Sequence, residues 1–122
     1  MKKEHRTFVS YLLKKVITGE ISTLKALSNF PKDYENDESL DACFFAIAHF
    51  EADEDLRTKN IDYKEAQDEY MLMLAEILDN GEDVPQNIID EYKNYYKNAP
   101  IYKDDTINNV KKRLLQKLNI QD

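Results

Sequence analysis

Turn-forming residues are scarce, with two glycines and three prolines in 122 residues. Sandwiches and barrels of many short strands need more tight turns than these can supply. With glycine only at Gly19 and Gly81, neither a Walker loop nor a dinucleotide-binding loop can be built. Cys43 is the one cysteine, which excludes an internal disulfide framework and a zinc knuckle and fits a reducing cytosol. No apolar run approaches the ~20 residues that would span a bilayer. The opening MKKEHRTF is basic, but Lys14 and Lys15 interrupt the apolar positions that follow. It reads as an amphipathic helix rather than a signal peptide. Basic residues are missing from one long stretch, since residues 33–56 hold no lysine or arginine. A net charge of −7 argues against non-specific nucleic-acid binding, which requires an excess of Lys and Arg.

What is present is helical periodicity. Val9, Leu12, Leu13, Val16 and Ile17 fall at i, i+3, i+4, i+7 and i+8, one face of a helix over 3–18. Gly19 stands where a left-handed cap is needed. Ser22 is placed to cap a second helix to about Asn29, with Leu24 and Leu27 inward, and Pro31 prevents its continuation. The chain is organised around 37–57, DESLDACFFAIAHFEADEDLR. Its centre, 42–48, is apolar on every side, as a helix surrounded by neighbours would be. Asn36 or Asp37 caps its start, and Lys59-Asn60 ends it. A helix then begins at Asp62, which forms a capping-box spacing with Glu65. It carries Ala66, Tyr70, Met73, Leu74 and Ile77 on one face and stops at Asn80-Gly81. Pro85 sits in the first turn of another helix with Ile88, Ile89, Tyr92, Tyr95 and Tyr96. A last one over about 104–118 places Ile107, Val110, Leu114 and Leu118 at helical spacing. No stretch alternates as a strand would. The expected fold is all-α: a compact single domain over residues 1–122, five to six helices around a buried central helix at about 37–57.

Catalytic signals are weak. His49 and Asp53 share a helix face at i, i+4, yet a metal site needs more ligands than two. Neither paired Glu-x-x-His, nor HExxH, nor EF-hand spacing is present. Cys43 lies in the most apolar part of the chain, not in the electropositive, partly exposed setting of a reactive thiolate. No serine has a glycine-elbow context. No cofactor and no metal is assigned.

The remaining signals concern surfaces. Residues 51–55 hold four acids, Glu51, Asp53, Glu54 and Asp55. At the C-terminal end of a 37–57 helix they would oppose the dipole, and Glu51 and Asp55 would repel at i, i+4. Such a cluster calls for neutralisation, either inside the fold by Lys2, Lys3, Arg6 or the basic C-terminal helix, or by a partner. Tyr92, Tyr95, Tyr96 and Tyr102 offer the large amphipathic area that interfaces favour. The first reading is therefore a non-enzymatic, cytoplasmic helical interaction module. It would meet a basic protein surface through Glu51, Asp53, Glu54, Asp55, Tyr95 and Tyr96, with no role for nucleic acid or membrane. A metal-dependent hydrolase-like bundle using His49 and nearby carboxylates is a second reading, and a homodimeric structural protein a third. In size, acidity and helicity alone the chain resembles small acidic proteins that bind and block another protein, such as bacterial immunity proteins and toxin inhibitors. That resemblance covers no motif and transfers no residues. Richness in Lys, Asn, Ile and Tyr points to an AT-rich bacterial or phage genome.

Overall fold

The computed structural model describes residues 2–32, 34 and 36–97. Six helices, and no strand, occur among them: α1 (Lys2–Thr18), α2 (Thr23–Asn29), α3 (Glu38–Ala52), α4 (Glu54–Lys59), α5 (Ile61–Asp79) and α6 (Gln86–Lys97). The expected helix at 104–118 lies outside the described residues. The architecture is an all-α bundle. α1 packs along α5, and α3 lies between α2 and α6 while touching α1 and α5.

The central position of α3 follows from its composition. Ala42, Cys43, Phe44, Phe45, Ala46 and Ile47 are all buried, so consecutive residues, not one stripe, face neighbours. Phe44 meets Phe30 and Phe45 edge to face, with centroids 5.2 and 5.5 Å apart. α1 contributes Val9, Leu12, Leu13 and Val16 to the same core. Burial raises the Cys43 thiol well above its ordinary value, which leaves it an inert core group.

The two glycines end the two longest helices in the same way. Gly19 has φ +79° and Gly81 φ +73°, conformations open to a residue without Cβ. The N–H of Glu20 reaches the Lys15 carbonyl at 3.0 Å and that of Gly19 reaches Val16 at 3.1 Å. Glu82 to Ile77 and Gly81 to Leu78 repeat the pattern at 3.0 and 3.1 Å. Paired bonds of this kind satisfy carbonyls that the helix itself leaves open.

Four expectations need correction. The central helix does not run through to Arg57: it stops at Ala52, and Asp53 (φ −94°, ψ 12°) separates it from α4. Asn60 does not cap by a left-handed turn; its φ is −138°, and its side chain accepts from the Tyr63 N–H at 3.1 Å, making Asn60 rather than Asp62 the cap of α5. On α5, Leu74 is buried and Tyr70, Met73 and Ile77 pack half-buried against the core as expected, but the face extends to Met71, Ala75 and Leu78, which are buried, while Ala66 is exposed. In α2, Ser22 caps and Leu27 turns inward as expected, but Leu24 is exposed and Ala26 is buried.

A buried polar clasp joins three distant segments. Arg6 is 6 % and Asp37 3 % exposed. The Arg6 Nε–H and an Nη2–H donate to the two Asp37 carboxylate oxygens, each at 3.0 Å. Arg6 also donates to the Glu82 carbonyl at 2.8 Å and to Asp83 at 2.7 Å. Asp37 caps α3 by accepting the Ser39 N–H at 3.1 Å, and the Ser39 hydroxyl accepts the Val84 N–H at 2.9 Å. The start of α1, the start of α3 and the α5–α6 connection are thereby pinned together. Arg6 is committed here, so it does not neutralise the acids at 51–55.

Candidate functional site

The break at Asp53 builds the candidate site. Its N–H still reaches the His49 carbonyl at 3.0 Å, but its side chain does not cap α4. The carboxylate turns to α5 instead. The Tyr63 hydroxyl donates to Asp53 Oδ2 at 2.6 Å, and Gln67 Nε2 donates to the same oxygen at 3.2 Å. The bond to Asp53 raises the Tyr63 hydroxyl above the ordinary tyrosine value. Arg57 completes the junction. It donates to the Phe50 carbonyl and, at 3.1 Å, to Gln67 Oε1, while its guanidinium lies 3.5 Å from the centre of the Phe50 ring. A carbonyl left open at the end of α3 thus gains a donor, and the Arg57 charge rests on an aromatic face.

Between α3, α5 and α6 this junction leaves a cleft of about 400 Å³, within the range of small-molecule sites. His49 and Asp53 form one wall, Tyr63, Gln67 and Tyr70 the second, and Ile88, Glu91 and Tyr92 the third. Ala46 and Met71 contribute apolar surface from the core side. The Tyr70 and Tyr92 hydroxyls lie 3.3 Å apart, and burial raises the Tyr70 hydroxyl above its ordinary value. Tyr92 packs edge to face with His49, centroids 6.1 Å apart. Among the described residues no lysine or arginine lines the cleft. No group of three or more His, Cys, Asp or Glu side chains placed to hold a metal ion occurs among the described residues.

The acidic run divides among different tasks. Glu51 is half-buried and accepts from the Thr23 hydroxyl of α2. Asp53 ties α3 to α5. Glu54 and Asp55 are exposed and stand in the first turn of α4, where the dipole favours negative charge. They therefore do not oppose the helix that carries them, because the chain starts a new helix at that point. Tyr95 and Tyr96 belong to α6 by backbone, but their side chains lie outside the described residues.

A feature missed by the sequence reading lies on α5. Asp62, Glu65, Glu69 and Glu76 are all exposed, with Leu72 (43 % exposed) among them. Their spacing places them in one ridge along the helix. None of these acids, nor Glu54, Asp55 or Glu91, makes an ion pair among the described residues. Of the basic residues, Arg6, Lys14, Lys15, Lys64 and Lys93 form ion pairs and Lys3, Lys25, Lys32, Arg57 and Lys59 form none among the described residues. The i, i+3, i+7 spacing of these acids was visible in the sequence, but the adjacent run at 51–55 was the denser signal. Among the described residues no helix is long and apolar enough to cross a membrane. Comparison with known protein families, with curated proteins and with solved structures gives no match.

Proposed function

We propose that the protein is a non-enzymatic helical interaction module that binds a basic protein surface through its α4–α5 side. The observation that supports this reading most is the ion-pair imbalance there. Glu54, Asp55, Asp62, Glu65, Glu69 and Glu76 are exposed without ion pairs among the described residues, against Arg57 and Lys59 as the basic side chains of α4 and α5 that make none, Lys64 being paired with Asp68. Glu65 and Glu69 stand at i, i+4, a like-charge pair that costs a few tenths of a kcal/mol in an isolated helix. A basic partner would relieve that repulsion and be steered by the field of the ridge. Exposed Leu56, Ile61 and Leu72 lie among these acids in the chain and supply apolar contact. The site residues of the reading are Glu54 and Asp55 with the α5 ridge. Glu51 and Asp53 precede it in the chain.

The test begins with capture of binding proteins from the native cell. Each is then purified and its association measured with the wild type and with a Glu54→Lys/Asp55→Lys/Glu65→Lys variant. Association that slows in the variant supports the reading. Equal association by both proteins refutes it.

A further inference from the structure

We infer that the cleft between α3, α5 and α6 is a receptor for a guanidinium group, the side chain of an arginine carried by the basic partner. The inference rests on the interaction reading above and specifies the chemistry at one point of the contact.

The argument turns on which hydrogen-bonding capacity the cleft has left. Several of its donors are engaged. The Tyr63 hydroxyl and Gln67 Nε2 both donate to Asp53, and one of the Tyr70 and Tyr92 hydroxyls can donate to the other. Gln67 Oε1 already accepts from Arg57. Acceptors remain. Both bonds to Asp53 fall on Oδ2, which leaves Oδ1 open. Glu91, on the opposite wall, makes no hydrogen bond among the described residues and is exposed to an entering group. A cleft with open carboxylate oxygens beside tyrosine rings suits a ligand that is all donor. Guanidinium fits this description, with five N–H groups and no acceptor.

Shape and charge favour the same group. A planar guanidinium stacks on aromatic faces and pairs with carboxylates in a way that a compact ammonium does not. Tyr63, Tyr70 and Tyr92 offer the rings, and Arg57 on Phe50 shows the same stacking a few residues away. Ala46, Met71 and Ile88 give the methylene stem of an arginine an apolar surface to lie on. Among the described lining residues there is no lysine or arginine, and the adjacent Arg57 is engaged by the Phe50 carbonyl and ring and by Gln67.

The experiment is an NMR titration of the full chain with N-acetyl-arginine amide, with the citrulline analogue as the neutral isostere and N-acetyl-lysine amide as the compact cation. The expected result is saturable amide shifts confined to the 46–53, 63–71 and 88–92 segments. For so small a probe the Kd should be on the order of millimolar. The lysine derivative should bind more weakly, and the citrulline analogue should not saturate. Glu91→Gln, an exposed change that removes no observed hydrogen bond, should weaken arginine binding roughly two- to fivefold. Glu76→Gln on the ridge should leave it unchanged. An absence of saturation, shifts elsewhere, or an equal response to citrulline overturns the inference. Equal binding by lysine overturns the assignment of guanidinium. If the α4–α5 charge reversal slows partner association while no probe enters the cleft, this inference fails and the interaction reading stands. Probe binding in the cleft of a protein whose partner ignores the reversal supports the cleft and removes the ridge.

Discussion

Replacing Arg6 by methionine should destabilise the fold by about 3–5 kcal/mol, the cost of removing one member of a buried ion pair. The magnitude follows from burial. Arg6 and Asp37 side chains are 7 % and 3 % exposed, and two bonds of 3.0 Å join them. The third contact, to Asp83, contributes little because that carboxylate is 76 % exposed. Methionine preserves much of the volume of Arg6, so the loss is one of charge and hydrogen bonds. Asp37 would be left with the Ser39 and Leu40 N–H groups and no counter-charge, and the Glu82 carbonyl would lose its donor. The assay is urea unfolding followed by circular dichroism, with Asp37→Asn and the double variant completing a cycle. Asparagine keeps an oxygen that can cap α3 while removing the charge. The double variant should therefore cost clearly less than the sum of the singles. A loss under about 1 kcal/mol for Arg6→Met, or strict additivity in the cycle, would show that the clasp does not hold the three segments together.

Phe44→Ala should cost about 3–5 kcal/mol in the same assay, since the ring is 1 % exposed and loses edge-to-face contacts with Phe30 and Phe45; an unchanged urea midpoint would contradict the central placement of α3. Alkaline pH should weaken the protein through Tyr34, whose hydroxyl is raised by burial and then by Asp41. An unfolded tyrosine releases its proton near 10.0 while the folded one keeps it, so stability complete below that pH is lost above it, by at most about 1.4 kcal/mol per pH unit. Tyr34→Phe should flatten the decline, with Cys43 contributing equally in both proteins, and parallel curves would refute the assignment.

Much of the fold was legible because burial and periodicity coincide. The all-round apolar run 42–48 identified the central helix, and Gly19 and Gly81 marked two helix ends that the backbone confirms. The largest error arose where a side chain chose a tertiary partner over local ones. Asp53 reads as mid-helix in sequence, yet Tyr63 and Gln67 draw its carboxylate across to α5 and the helix divides there. Asp62 has the better capping-box spacing, but Asn60 is the residue that follows the break and takes the N–H of Tyr63. The clasp was invisible because Arg6 and Asp37 are 31 residues apart and Arg6 and Asp83 are 77 apart. Nothing local marks such a pair. The cleft is hidden for the same reason, since its walls come from three helices and only His49, Asp53 and Tyr92 were singled out beforehand as candidate site residues.

The central claim, recognition of a basic surface by the acidic α4–α5 side, is tested most directly by the ionic-strength dependence of the association rate with a captured partner. The wild type should associate faster at low salt and slow steeply as salt is added. The Glu54→Lys/Asp55→Lys/Glu65→Lys variant should associate slowly at every salt concentration with a much shallower dependence, and its urea midpoint should fall only modestly, because all three side chains are exposed and what is lost is the favourable dipole interaction of Glu54 and Asp55 at the start of α4. Identical salt dependence in the two proteins would contradict the claim.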